Sequence, residues 1–451
     1  MNRCLLAALL LCLLAATASL AQNPQSQSGG QPPPSKTSSA PSTGEPRVQH
    51  SSKPIVEYAL APELLKKAKT LGAIRFAFRV FSFFFSIFVL CLILRMKWSA
   101  AFRDCAERAT RFRFLQAVIY TPLLAVTFSL LLLPLDLFNE SLFKAYGISV
   151  QPWGAWADDW LKALLLTVII GSLLAWILFA VIRRNPQRWW FYFWVISVPI
   201  SLCLFFVQPL VIDPMFSKFE PLSAKAPELI PQLERITVRG GMPIPPERMF
   251  WMLASDKTIY TNAYVTGIAA TKRVVIWDTS LAKETTDGIL MMFGHEMGHY
   301  ALHHIWKGLA FTSALVFVLL LLGYRTIGWL LAQRGNSWGV REAGDWAALP
   351  ALLLLVTFFG FAANAVGNTY SRYQENQADI YSLEVTHGIV PDPGQACAVS
   401  YQMFGEQVFV DPDPNPVNVF LFFDHPTVKH RVHLCVNYDP WSKGESPQFV
   451  K

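Results

Sequence analysis

His295-Glu296-Met297-Gly298-His299 has the residue types and spacing for metal-assisted hydrolysis. On a helix, residues four apart share a face, so both imidazoles can bind one zinc ion with Glu296 beside it. Zinc lowers the pKa of a water toward about 7, and a neighbouring carboxylate takes the proton as that water attacks a carbonyl. The plain alternative is a solvated His-Glu-His face. The flanking pattern favours the helix that the chemistry needs. From Asp287 to Leu302 the apolar residues Ile289, Leu290, Phe293, Met297 and Tyr300 recur with helical spacing.

Two histidines leave a zinc site short of a third ligand. Six residues after His299 stands Ile305, where the longer zinc-protease motif has a histidine. His303 and His304 follow too closely on the same helix to complete a tetrahedron easily. The leading candidate is Glu375, within Ser371-Arg372-Tyr373-Gln374-Glu375-Asn376-Gln377-Ala378-Asp379. Glu375 and Asp379 are four apart, so one carboxylate can bind zinc while the other accepts the free ring N–H of a ligand histidine. Of nine histidines, four fall in 295–304 and three in 425–433. That clustering makes His425, before Pro426 and Arg431, a candidate donor to the oxyanion of peptide hydrolysis. Read alone, it is a surface-loop histidine.

The rest of the chain must hold these groups in a membrane. Hydrophobic residues make up 53% of the 451 and charged residues only 15%, against about 25% charged in soluble domains. Mean hydropathy is +0.33. This is the composition of a mainly α, polytopic membrane protein, and it excludes a disordered chain, a collagen or a coiled coil. Seven cysteines without a CxxC pair exclude a disulfide miniprotein and a cysteine zinc site. The net charge of +7 sits beside apolar runs, as in cytoplasmic membrane loops, so the lipid bilayer and not nucleic acid is the expected partner.

Arg3, the apolar run Cys4 to Ala16 and Ser19-Leu20-Ala21 read as a signal peptide over 1–21. A low-complexity linker over 22–53 follows, too polar to bury a core. Apolar runs near 74–94, 114–134, 163–182, 191–211, 308–331 and 349–366 are each close to the ~20 residues a spanning helix needs. Six spans result, or seven if the signal is retained, and they carry almost no ionisable residue. Four lie in 54–211 and two in 307–369. Between them, 212–306 is a zinc-protease domain with a small β-hairpin or edge strand, and 370–451 completes the site. The loop after the first span carries Arg95, Lys97, Arg103, Arg108, Arg111 and Arg113, and that after the third Arg183, Arg184 and Arg188. Positive loops stay inside, which puts the zinc site on the exoplasmic side, the periplasm for a bacterial inner membrane. There Cys397 and Cys435 would share an oxidising compartment in which a disulfide is possible.

The sequence resembles the type I CAAX prenyl endopeptidases, integral-membrane zinc metalloproteases, over nearly its whole length after Tyr58. The shared segments include Tyr58 to Leu64, Gln208-Pro209, Ile212 to Phe216, Thr261 to Gly267, Arg273 to Thr279, the zinc motif, Ser371 to Asp379, and His425 to Arg431. The resemblance implies one zinc per chain, with His295, His299 and Glu375 as ligands and Glu296 as general base. It implies Asp379 behind a ligand histidine, His425 as oxyanion donor and Arg431 organising the ligand carboxylate; His304 is expected close behind the ligands. Asn262, Ala263 and Tyr264 would hold an extended peptide or protein substrate by backbone pairing. The family fold further implies helices enclosing a chamber with the zinc site at its mouth.

Two features depart from the family. A signal and linker stand where its first span would be, and the loop charges turn the site outward, whereas eukaryotic members face the cytosol. The expected substrate is therefore an exported or membrane-associated protein. The competing readings are a catalytically silent zinc scaffold or quality-control factor, which has no need of Glu296, and a transporter, which calls for ionisable residues in the spans. A site-two type protease would put the motif inside a span and add a distant Asp-Gly ligand motif.

Overall fold

A chain this apolar satisfies its backbone polar groups internally when it crosses lipid, and helices do so within one segment. The computed structural model describes residues 54–267 and 272–450. The expected signal peptide and linker lie outside the described residues. Among the described residues, six helices are long and apolar enough to cross a membrane. In chain order, α1 is Pro62–Arg95, α2 Trp98–Ala109, α3 Arg113–Ala145, α4 Trp153–Arg184 and α5 Trp189–Val207. A π-helical turn at Gln208–Ile212, around Pro209, leads to α6, Asp213–Phe216.

The polar segment contributes β1 (Phe219–Pro221), α7 (Ile230–Arg239), β2 (Met249–Met252), β3 (Ala263–Thr266), β4 (Arg273–Trp277) and α8 (Asp278–Lys283). Then come α9 (Thr286–Ala301), α10 (His304–Trp338), α11 (Leu349–Thr386), α12 (Pro393–Gln407), α13 (Pro416–Phe422) and α14 (Val428–Asn437). All six expected spans are present; five overrun their apolar stretches, while α5 ends at Val207 and passes into the π-helical turn. The largest extension is α11, which continues unbroken past the expected end at 366 and so carries Glu375 and Asp379 on a membrane helix.

The expected hairpin is larger than its sequence signal. It is part of a four-stranded sheet of order β1-β2-β4-β3, in which β2 and β4 are parallel and the other pairs antiparallel. β1 and β2 are too short to show a period-two pattern. β3 stands at one edge. Its apolar face and α7 pack on α9, where Leu233, Ile236, Val265, Ile276, Phe293 and Met297 are all buried.

The membrane helices close on one another at the end where the basic loops lie. Leu94, Tyr120, Phe179 and Trp346 are fully buried there. Arg103 Nη1 meets Asp345 Oδ2 at 2.6 Å, and Arg341 Nη1 lies 2.9 Å from Glu107. Toward the other end the helices part around a cavity of about 1300 Å³ whose wall also includes His295, Glu296 and His425. The expected chamber with the motif on its wall is therefore present. The expectation of nearly uncharged spans fails on α1, where Arg75 and Arg79 line the cavity. The hydropathy of the whole run hides two charges that the cavity keeps from lipid.

Candidate active site

α9 starts where the Thr285 side chain accepts from Gly288 N at 3.0 Å, satisfying one of the free amides of a first turn. It meets α11 at Gly294 and Gly298. A Cβ on Gly298 would lie 3.1 Å from Ala378 Cα, and one on Gly294 3.3 Å from Ser382 Cα. Only glycine lets the two backbones approach this closely. That approach brings His295 and His299 of one helix against Glu375 and Asp379 of the other.

His295 Nε2 is 3.2 Å from His299 Nε2 and 3.2 Å from Glu375 Oε2, and His299 Nε2 is 3.5 Å from Glu375 Oε1. One ligand atom from each residue falls within 4.8 Å of the other two. The set fits a divalent metal. His295 faces a carboxylate at both ring nitrogens, Asp379 on Nδ1 at 2.8 Å and Glu375 on Nε2. Burial works against charge on this ring, but Asp379 and Glu375 outweigh it and push His295 up to about 10. Burial instead takes His299 down to about 3, leaving it neutral with a lone pair to offer. Glu375 Oε2 is buried without a hydrogen bond. One proton cannot serve three converging donors, whereas a tetrahedral metal can.

Each ligand ring is held from behind. Asp379 Oδ1 accepts from His295 Nδ1, from Arg431 Nη2 at 2.6 Å and from Tyr401 Oη at 2.8 Å, while Oδ2 accepts from Arg431 Nε at 2.8 Å. Tyr401 lies on α12 and Arg431 on α14, and the Cys397–Cys435 disulfide joins those helices. Arg431 thus organises chiefly Asp379, with Glu375 Oε2 farther off at 3.7 Å. The expectation that His304 shares a helix with the motif is wrong. α9 ends at Ala301, His303 takes a left-handed φ of 57°, and α10 begins at His304. That reversal turns His304 Nδ1 back to within 3.1 Å of His299 Nδ1, with its Nε2 3.2 Å from Gln377 Oε1. The amide oxygen can only accept, so His304 Nε2 donates to it and His304 Nδ1 accepts from His299. The consequence is a bare His299 Nε2.

Glu296 lies on the cavity wall. Burial, and secondarily the Glu375 charge, raise its carboxyl to about 7, although His295, His425 and the Val265 backbone N–H lower it. His425 Nε2 is 3.3 Å from Glu375 Oε2, and its Nδ1 is 2.8 Å from Asp424 Oδ1. Burial opposes protonation of His425, but Glu375 and Asp424 raise it overall. At the sheet edge, Asn262 O accepts from Trp277 N at 3.0 Å. Alternation along an antiparallel pair then points the amides of Ala263 and Val265 outward. Tyr300 Oη donates to Gly267 O at 2.8 Å and ties the end of this edge to α9. Asn262 and Ala263 line the cavity, whereas Tyr264 does not and turns its hydroxyl toward Met252 Sδ, 3.9 Å away. The backbone of Tyr264 faces β4 in the same alternation, so neither its side chain nor its amide reaches the cavity.

The structure gathers the expected site residues around the donor set and the cavity wall, with the exception of Tyr264, and adds Asp424, Tyr401 and Gln377 to them. Asp424 had a usable signal, being a carboxylate next to His425. Tyr401 had none, because only the folding of α12 onto α11 brings it to Asp379.

Two family models match the chain. Peptidase family M48 covers residues 223–436, and the CAAX prenyl protease N-terminal family of five membrane helices covers 48–218. The uncharacterized metalloprotease YhfN of Bacillus subtilis is 35% identical over 350 residues, 76% of this chain and 79% of the relative. The chain belongs to peptidase family M48. As an M48 member it is an integral-membrane metallopeptidase, and its resemblance to the CAAX prenyl proteases stands. CAAX prenyl protease 1 of Saccharomyces cerevisiae is 26% identical over 285 residues, 60% of this chain and 62% of the relative. The crystal structure of S. mikatae Ste24p shares the fold, with a TM-score of 0.73 and 22% identity over 86% of this chain and 93% of that one. The N-terminal family has five membrane helices, whereas the described part of the matched region of this M48 peptidase has four candidate spans.

Replacing His304 with Phe removes the acceptor of the His299 Nδ1–H without adding charge. Metal affinity, measured by competition with a zinc chelator, is expected to fall about 10- to 100-fold. Unchanged affinity would show that His304 does not set the His299 tautomer.

Proposed function

We propose that this chain is a zinc-dependent endopeptidase that cleaves extended segments of exported or membrane-associated proteins from the exoplasmic face. The observation that carries the reading is a cavity wall bearing Glu296, His425, Asn262 and Ala263 together with His295, the member of the His295, His299 and Glu375 donor set that reaches the cavity. Zinc held by that donor set would supply Lewis acidity, polarising a peptide carbonyl and lowering the pKa of a water. Glu296 takes the proton of the attacking water and passes it on to the leaving amine. The outward amide of Ala263 and the outward carbonyls of Ala263 and Val265 pair an extended peptide across the cavity mouth, as an edge strand does, while the Val265 N–H is held by Glu296. His425, its Nδ1 on Asp424, presents Nε2 toward the developing oxyanion. Asp379 and Arg431 hold His295, while His304 and Gln377 hold His299.

Two independent features support the exoplasmic reading. The basic loops lie at the closed end of the bundle, opposite the site. Cys397 and Cys435 form a disulfide on the site's side, with Cα atoms 5.7 Å apart, as an oxidising compartment favours. Cys105, on the basic side, is free and exposed.

Glu296→Gln is expected to keep about one zinc per chain by metal analysis while peptide hydrolysis falls more than ~100-fold. Equal hydrolysis by both proteins would remove Glu296 from the chemistry. For sidedness, an impermeant maleimide should label Cys105, located by peptide mass spectrometry, in inverted but not right-side-out vesicles. The opposite pattern would place the site in the cytosol.

A further inference from the structure

The cavity wall carries two arginines that the peptidase chemistry does not use. Arg75 and Arg79 stand one turn apart on α1, and both line the cavity. α1 has no acidic residue after Glu63 to balance them. Neither guanidinium has a hydrogen bond or a carboxylate within 4.0 Å among the described residues. Each rests instead on an aromatic face, Arg75 5.4 Å from the Phe143 ring centroid and Arg79 5.5 Å from that of Phe422.

The cavity's carboxylates are engaged elsewhere. Asp136 accepts from Trp160 Nε1 at 3.2 Å, and Glu140 lies 3.4 Å from Lys144 Nζ and 2.5 Å from Ser149 Oγ. Glu284 accepts from Ser400 and Thr261, each at 3.2 Å, while Asp411 accepts from Asp413 N at 3.1 Å. Asp424 is held by His425, and its charge reaches Arg79 only from beyond ion-pair distance. Charged side chains within a membrane helix are costly and mark substrate paths when they face an internal cavity. A guanidinium on an aromatic ring keeps its in-plane N–H fork free, and that fork matches a carboxylate.

We infer that Arg75 and Arg79 form an anion subsite that holds a carboxylate of the peptide occupying the cavity. The inference rests on the peptidase reading of the site, since Glu296, His425, Asn262 and Ala263 share the same wall. It deepens that reading by making negative charge on the peptide a determinant of which peptides bind. The carboxylate can be the C-terminus of the substrate or an acidic side chain.

The test is equilibrium binding of fluorescent peptides to the purified full chain carrying Glu296→Gln, which removes turnover from the readout. Matched peptides differ only in a C-terminal acid or amide, or in an internal Glu or Gln, so the two arms separate the sources of the carboxylate. At least one acidic peptide is expected to bind about tenfold more tightly than its neutral partner, as a charge-assisted bidentate contact gives. Arg75→Gln with Arg79→Gln should abolish that preference while neutral peptides bind unchanged. Arg75→Lys with Arg79→Lys should retain part of it and controls for loss of fold. No preference in the parent, or one that survives the double Gln change, would overturn the subsite. So would displacement of peptide by short-chain phosphatidylglycerol but not by the acidic peptide, which would assign the pair to lipid. Failure of the peptidase reading shows separately, as absence of wild-type hydrolysis of the neutral peptides.

Discussion

The contact between α9 and α11 sets the site. Gly294 and Gly298 remove two side chains from the crossing, and the backbones of Ala378 and Ser382 occupy that space. Each helix then presents an i, i+4 pair to the other, His295 and His299 against Glu375 and Asp379. A methyl group at Gly298 would meet backbone, which cannot swing away as a flexible side chain can. The separation of the helices, and with it the distance from imidazole to carboxylate, therefore follows from two residues that carry no chemistry.

Charge completes what packing begins. Asp379 takes four hydrogen bonds from three residues on three different elements. The pairs on Asp379 draw α12 and α14 onto α11, and the disulfide closes the same group of helices. Buried carboxylates are stable only when paired and fully hydrogen-bonded, so this network confers geometric precision on His295 as well as stability. The wall of the membrane cavity is built differently. There the guanidiniums of Arg75 and Arg79 lie over aromatic rings and have no hydrogen bond among the described residues.

The groups that could be read from the sequence are those whose relations are local. The motif, its amphipathic helix and the Glu375–Asp379 pair depend on a spacing of four residues, and six membrane helices depend on run length. What escaped depends on chain reversal or on distant contact. His304 was placed on the motif helix because nothing in Leu302-His303-His304 signals the left-handed turn at His303, a conformation more usual for glycine or asparagine. Tyr401 reaches Asp379 only after α12 folds back. β1 and β2 are three and four residues long, too short for alternation to distinguish them from loop. Arg75 and Arg79 were averaged into a hydropathy run, which reports how apolar a helix is but not which face meets a cavity. The resemblance to CAAX prenyl proteases implies the substrate-pairing role of Asn262, which spacing alone does not suggest.

X-ray absorption at the zinc K edge of the purified protein bears most directly on the claim that His295, His299 and Glu375 hold one zinc ion. The expected spectrum has four nitrogen and oxygen neighbours at about 2.0–2.1 Å, two of them with imidazole multiple scattering. The Glu375→Gln protein should lose an oxygen neighbour or the metal itself. A site with sulfur neighbours, or one whose spectrum and occupancy are unchanged by that substitution, would contradict the claim.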